Sequence, residues 1–358
     1  MKKVLLATTM FVAGASIAAA EVTLKGDARM GIINDFVLAP GALDPTAFTS
    51  RARVSFTLSG ESDSGLSFGG SFRADNAGNA AKGTAGSVFV SGAFGKLSMG
   101  DVDGAANKAV GHIDGVGLTG LSDLNESTFI ANGGFSNALI AANAAGDALA
   151  LTGDPSVLYE YSAGSFAVYA SVTQTNFSFG AAGAATAIAG GLLTPGTTYQ
   201  GDAYGIGAAY TIDNYKVSLG YERLDIANLV PAAPASTLKG DHWILGADAT
   251  FGAFTAKARY GKADFSRNGA AVADFDQIGL SGTYTMDALS VTAFVQNKEF
   301  TTPAGANLNE VKAVGIGASY DLGGGASVVG GIAEQKVRNG AAAVQKDTAF
   351  DLGLNFSF

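Results

Sequence analysis

The stretch Ser50–Gly60, SRARVSFTLSG, decides the fold. Alternate residues separate into Arg51, Arg53, Ser55, Thr57 and Ser59 on one side, and Ala52, Val54, Phe56 and Leu58 on the other. A period of two over this length is a β-strand whose two faces meet different surroundings. Two arginines on one face, two residues apart, then raise the question of which face is wet.

The same alternation recurs along the chain. Val22, Leu24, Ala28, Met30 and Ile32 interleave with Thr23, Lys25, Asp27 and Arg29. Leu66, Phe68, Phe72 and Ala74 interleave with Ser67, Ser71, Arg73 and Asp75, and the final segment alternates Phe350 to Phe358 with Asp351 to Ser357. Strand, aromatic, tight turn, strand is a recurrent unit, as in GIGAAYTIDNYKVSLGY from Gly205 and GLSGTYTMDALSVTAFV from Gly279. Phe94, Tyr161, Tyr210, Phe251, Tyr284 and Tyr320 each stand just before such a turn. A soluble sandwich gives no reason for rings at one height, whereas a bilayer interface does, because amphipathic rings settle at the headgroup level.

Short turns near Gly60–Gly65, Phe94–Lys96, Ser162–Ser165, Asp213–Asn214, Phe251–Ala253, Thr285–Ala288 and Asp321–Gly325 alternate with longer polar or Gly/Ala-rich stretches. This gives an all-β fold, a transmembrane antiparallel β-barrel of about 16 strands, with both chain ends on the short-turn side. The ends near Glu21 and Phe358 are expected to meet where the barrel closes. On this reading the apolar face meets lipid and the polar face, with its arginines, meets a wet lumen. One connection stands apart: residues 102–155 form a long insertion, and so long a loop is usually functional.

Composition narrows the function classes. Of 358 residues 47% are hydrophobic and only 15% charged, with 50 glycines and no cysteine. No disulfide or thiolate metal site is available, and a net charge of -9 disfavours a nucleic-acid partner. Residues 1–20 read as a signal peptide, with Lys2 and Lys3 before an apolar run and Ala18-Ala19-Ala20 at the cleavage site. Its removal leaves one domain, 21–358, with 20 basic and 31 acidic residues, a net charge of -11. No later segment has the ~18–20 continuous apolar residues of a spanning helix.

GDARMG at Gly26–Gly31, SRARVSFTLSG, SDSGLSFGGSF, VFVSGAFGKLSMGD, YSAGSFAVYAS, SYDLGGGASVVGGIAE and the ending LGLNFSF together resemble the Rhodobacter-type general porins of alphaproteobacteria. The resemblance spans nearly the whole mature chain in order. It implies a homotrimer in the bacterial outer membrane, with the long third loop (102–155) folded inward to narrow each pore. It also implies a basic constriction side at Arg29, Arg51, Arg53 and Arg73, opposed by Asp101, Asp103, Asp114, Asp123 and Glu126. Phe358 maps to the assembly signal read by the barrel-assembly machinery. Outer-membrane lipid and lipopolysaccharide, and small polar solutes and ions, are the implied partners. Some family members bind calcium in the loop. Here ANGGFSNALIAANAAGDALA is nearly uncharged, whereas calcium needs ~6–8 oxygen ligands, so no metal and no cofactor is expected.

Other motifs carry less. Gly65-Leu66-Ser67-Phe68-Gly69 matches G-x-S-x-G, but a nucleophile elbow needs a strand-to-helix turn and Ser67 lies in a strand pattern. His112 and His242 are the only imidazoles, and the spacing of His112 and Asp114 suits a solvated loop pair better than a catalytic one. Gly205-Ile206-Gly207 and Gly315-Ile316-Gly317 lack the third glycine of a dinucleotide fingerprint and read as strand glycines at crowded barrel walls. The expected function is a general diffusion porin, not an enzyme. The alternatives are a solute-selective binding channel or an outer-membrane hydrolase.

Overall fold

The computed structural model describes residues 21–36, 46–75, 86–131, 156–178, 198–228 and 237–358. They form a closed barrel of 16 antiparallel strands, each bonded to its sequence neighbours, with the first and last paired. The strands are β1 (Glu21–Asn34), β2 (Thr46–Glu61), β3 (Ser67–Asp75), β4 (Ser87–Gly92), β5 (Gly95–Gly100), β6 (Ser156–Ala163), β7 (Phe166–Ser178) and β8 (Thr198–Ile212). They continue as β9 (Tyr215–Asn228), β10 (Thr237–Phe251), β11 (Phe254–Arg267), β12 (Ala270–Met286), β13 (Leu289–Thr301), β14 (Asn307–Gly323), β15 (Ala326–Asn339) and β16 (Gln345–Ser357). A short helix, α1 (Ala105–Val110), lies in the long connection after β5. Closure satisfies the ladder groups that an open edge would leave unpaired.

Strand parity sets the faces. On β10, Trp243 and Leu245 are about half exposed, while His242 and Ile244, which alternate with them, are fully buried. Paired residues of an antiparallel ladder share a face, so the registers carry this assignment around the barrel. The expected turns stand at one end, at Asp213–Asn214 for instance, where Asp213 takes φ 50°, the positive-φ geometry that two-residue hairpins require. The opposite end departs from the expected alternation: the connections 302–306 and 340–344 have five residues each, no more than 62–66 at the turn end. β11 and β12 are joined there by the two-residue turn Asn268-Gly269, with φ 49° and 83°, the Asn-Gly pair that such hairpins favour.

The chain ends also depart from expectation. Phe358 exchanges backbone hydrogen bonds with Gly26, 2.9 and 3.2 Å long, whereas Glu21 is in register with Ser59 of β2. The first five residues of β1 run past the end of β16, because the register that aligns Met30 with Leu354 leaves β16 too short to reach Glu21.

A second correction concerns which face is apolar. Beside lipid the rule holds: Leu245, Ile278, Leu280, Val295 and Ile316 all face outward and are exposed. Toward the loop end it inverts. Leu224, Ile226, Leu238, Phe265, Phe275 and Phe300 point inward and are buried with Ile130 of the long loop. The outer face at that level carries Arg223, Asp225, Asp241, Asp264 and Asp276. Above the hydrocarbon the outside is wet, and the inside instead holds a small core beneath the loop.

Aromatic residues mark both ends of the apolar band. Near the turns Phe94, Tyr161, Phe251, Tyr284 and Tyr320 are exposed, and Tyr210 is half covered by Phe166, ring centroids 4.5 Å apart. Toward the loop end stand Tyr204, Tyr260 and Trp243, with Tyr221 against Trp243 at 4.4 Å. Trp243 and Phe251 bracket one strand, and their spacing is ~26 Å along it, roughly 20 Å across the membrane after barrel tilt.

Candidate functional site

The described part of the long loop, 102–131, lies inside the barrel. Its path is fixed by polar side chains on the lumen face of successive strands. Ser171 Oγ of β7 accepts the Ala105 N–H at 2.8 Å, where α1 begins. Arg259 of β11 donates to the carbonyls of Gly111 (3.1 Å) and His112 (3.2 Å) while paired with Asp248 at 2.5 Å. Asp351 of β16 accepts the Leu118 N–H (2.9 Å), the Thr119 N–H (2.6 Å) and the Thr119 hydroxyl (2.7 Å). At the far point Arg29 of β1 donates to the Leu118 carbonyl at 3.3 Å.

The loop then turns back along the same wall. Gln296 of β13 donates to the Glu126 carbonyl at 3.2 Å. Gln277 of β12 holds both backbone groups of Thr128, each at 2.8 Å. Glu222 Oε2 of β9 accepts the Ile130 N–H at 2.8 Å and lies 2.8 Å from His242 Nδ1. Phe129 closes a cluster with Ala106, Ala109, Val110 and Ile244.

Glycine makes this close fit possible. A Cβ on Gly207 of β8 would come within 2.5 Å of the Ala105 carbonyl, and one on Gly317 of β14 within 2.9 Å of Val116. Any larger residue on these inward positions would lift the loop off the wall. The GxG pairs are therefore seats for the loop, which adds a cause to their reading as wall glycines.

The four arginines occupy one sector of the lumen face. Arg29 and Arg51 are directly opposite in the ladder, as are Asp27 and Arg53. Arg53 and Asp75 are likewise opposed. Arg51 pairs with Asp27 at 2.9 Å, Arg53 with Asp75 at 3.3 Å and Arg73 with Asp75 at 2.8 Å. Three carboxylate contacts thus hold the guanidinium row in place, and each arginine keeps part of its surface open.

The loop acids divide. Asp114 is turned to the opposite wall, where Lys257 Nζ reaches it at 2.6 Å and Ser281 Oγ accepts its backbone N–H at 2.9 Å. Asp101 sits at the loop's root, its N–H on the Gly86 carbonyl at 3.1 Å. Asp103 accepts from Asn107 at 3.2 Å. Asp123 closes a turn onto Gly120 and receives the Glu126 N–H at 3.0 Å. Partial enclosure and the Asp123 charge raise the Glu126 carboxyl above the usual carboxylate range, with Lys298 opposing. Burial, then Lys298, pushes the His112 imidazole below its ordinary value. The geometry agrees, since His112 Nδ1 accepts the Ser127 N–H at 3.0 Å and can do so only when unprotonated.

His112 and Asp114 thus have separate partners and form no dyad. Ser67 opens β3, so its motif lies on no strand-to-helix turn. Among the described residues there is no group of three or more His, Asp or Glu able to hold a metal ion. No described helix is long and apolar enough to cross a membrane; the crossing elements are the strands. Asp351, Glu222, Gln277 and Arg259, which seat the loop, escaped the sequence reading. Each stands at an inward strand position, but nothing local announces a backbone partner more than ninety residues away. Residues 132–155, the remainder of the expected constriction loop, and the expected signal peptide at 1–20 lie outside the described residues.

A closed barrel with lipid-facing apolar bands and a loop stapled within its lumen defines the class of outer-membrane channel barrels. Comparison with known proteins agrees. A family model described as Gram-negative porin matches residues 7–340. A porin of Rhodobacter capsulatus is 36% identical over 353 residues, covering 94% of this chain and 100% of the relative. A porin structure refined at 1.8 Å resolution matches with TM-score 0.66 and 33% identity, again covering 94% of this chain and 100% of the other. A loop-deletion variant of OmpT, an outer membrane protein of Vibrio cholerae, shares the fold at 16% identity with TM-score 0.60, covering 95% of this chain and 100% of that one. The chain belongs to the Gram-negative porin family. It is an outer-membrane diffusion channel, and membership points to a channel rather than an enzyme.

Proposed function

We propose that this channel passes small hydrophilic solutes and ions without strong preference among them. On this reading a transverse field is set across its narrow part by Arg29, Arg51, Arg53 and Arg73 on one side and Asp103, Asp123 and Glu126 on the other. The observation that carries the reading is the loop's course. Its anchors follow β7 through β16 to Arg29 and return, while the arginines of β2 and β3 project from the sector beyond. Low-dielectric walls focus such a field, and charges lining a constriction tune ion preference. Asp114, paired with Lys257, serves the anchoring of the loop. No cofactor or metal enters the reading, and no reaction is assigned.

The loops face outside and the short turns the periplasm, as is general for such barrels. The aromatic groups at the two ends then sit at the two interfaces, the six at the turn end in the periplasmic one. The channel works as a homotrimer. β4 and β5 have six residues each, ~20 Å along the strand, too short once tilted to cross the ~25 Å apolar band alone. Their outer side chains Val88, Val90, Leu97 and Met99 are exposed and suit a neighbouring copy. Residues 1–20 are removed on export, and Phe358 at the end of β16 marks the chain for the barrel-assembly machinery.

Liposome swelling tests the solute reading. Uncharged sugars of rising size should enter at rates that fall smoothly with radius and do not saturate. Saturable uptake of a single solute class would instead establish a binding channel, and its failure for every sugar would end the reading.

A further inference from the structure

The loop doubles back on itself, and two side chains tie its limbs together. Asn125 Nδ2 donates to the Ile113 carbonyl at 2.8 Å, and His112 Nδ1 accepts the Ser127 N–H at 3.0 Å. The other bonds of the returning segment come from the wall. Gln296 donates to the Glu126 carbonyl, Gln277 holds both backbone groups of Thr128, and Glu222 accepts the Ile130 N–H. At Ser127 the acceptor is instead an imidazole of the loop itself.

Ser127 depends on that imidazole. The residue is buried, and its hydroxyl, enclosed as well, has no hydrogen-bond partner among the described residues. An enclosed N–H that loses its acceptor cannot turn to water without moving. Imidazole accepts only through a nitrogen that carries no proton. Protonation would set a second N–H against the first, and the staple would open. Asn125, an amide, keeps its bond whatever the pH.

The surroundings hold His112 neutral. Burial opposes a charge on the ring most, Lys298 of β13 next, and Arg259 of β11 also opposes it, while Asp103 and Asp123 favour it. Arg259 is itself paired with Asp248 and donates to the His112 carbonyl. Glu126, next to Ser127, faces the charge of Lys298. Phe129 packs edge-on against the ring, centroids 5.6 Å apart, and also meets His242, which is paired with Glu222. The ring thus stays neutral below the ordinary imidazole value near ~6.5 and takes its proton as pH falls further. The staple is whole above that point and lost below it.

We propose that His112 is a positioning residue for the channel: as neutral imidazole it staples the returning limb that carries Asp123 and Glu126, and its protonation frees that limb. The functional part of this rests on the reading of those two acids as one side of the constriction. The wall bonds at Glu126, Thr128 and Ile130 remain, so the release is local. The barrel ladders take no part in it, so assembly is unaffected.

Single-channel recording of the full-length protein between pH ~8 and ~5 compares three side chains at position 112. Wild type should conduct steadily at the upper end and flicker as pH falls, with closures roughly tenfold more frequent for the loss of one enclosed hydrogen bond. His112→Asn, whose amide oxygen can stand where Nδ1 stands and does not titrate, should conduct steadily throughout. His112→Phe, which accepts nothing, should flicker at every pH. Should the Phe variant fail to assemble, the Asn variant decides alone. Glu126→Gln should keep the acid flicker, since it leaves the ring in place. Steady wild-type currents down to the lower end overturn the proposal. So does acid flicker that persists in His112→Asn, or that vanishes in Glu126→Gln. The reading of the constriction fails separately, at the reversal potential: a channel whose selectivity ignored Asp123 and Glu126 would still flicker through His112.

Discussion

Glu222 and His242 form a buried pair, Oε2 to Nδ1 2.8 Å, enclosed between the barrel wall and the loop. The loop backbone dictates the direction of the hydrogen bonds around the pair. The Thr128 N–H requires the Gln277 oxygen and the Thr128 carbonyl requires its nitrogen, which orients the amide. That nitrogen also lies 3.2 Å from His242 Nε2, so Nε2 accepts and Nδ1 donates to Glu222. The imidazole thus holds the Glu222 side chain where its Oε2 accepts the Ile130 N–H.

Replacing Glu222 by Ala strands both His242 and the Ile130 N–H. Loss of one member of a buried, hydrogen-bonded charge network costs about 3 kcal/mol. The ladders of the barrel are untouched, so the cost falls on the loop. The variant should assemble and show flickering between conductance levels in single-channel records, with faster proteolysis within the loop. Steady wild-type currents from it would show that the anchor at Ile130 is dispensable.

Gly207 bears on the same seat from the other side. Gly207→Leu would put side chain where the Ala105 carbonyl lies, and α1 would have to move toward the passage. Conductance should fall measurably in a barrel of normal heat stability. A variant with unchanged conductance would mean that α1 lies outside the narrow part.

Acidification provides a sign test. The Glu126 carboxyl is raised, first by partial enclosure and then by Asp123. As pH falls it takes up a proton before an ordinary carboxylate near ~4.3 would, and the loop loses negative charge. Cation preference should therefore drop at a pH above the usual carboxylate range. Glu126→Gln should remove that step and leave the later ones. A wild-type titration curve that coincides with that of the variant would exclude Glu126 from the ion path.

The barrel was legible because its cause is local and repeated. At Val54, Phe56 and Leu58 each apolar side chain reports lipid, and the turn at Asp213-Asn214 reports its own geometry. The arginine parity was legible for the same reason. The inward apolar residues at Leu224, Phe265 and Phe275 were not, because the rule that outside is apolar holds only within the bilayer. Asp351 was invisible as an anchor, since its partners at Leu118 and Thr119 come from a loop whose path alternation cannot specify. The meeting of Phe358 with Gly26 depended on barrel register, which no single strand encodes.

The central claim is that the arginine sector and the loop acids set the field in an open passage. The direct measurement is the single-channel reversal potential of the Arg51→Glu and Arg53→Glu double variant under a salt gradient, at low salt where screening is weak. The account predicts a conducting channel whose reversal potential shifts toward cations relative to wild type. A correctly assembled double variant with the wild-type reversal potential would contradict it, and would leave these arginines only their pairing with Asp27 and Asp75.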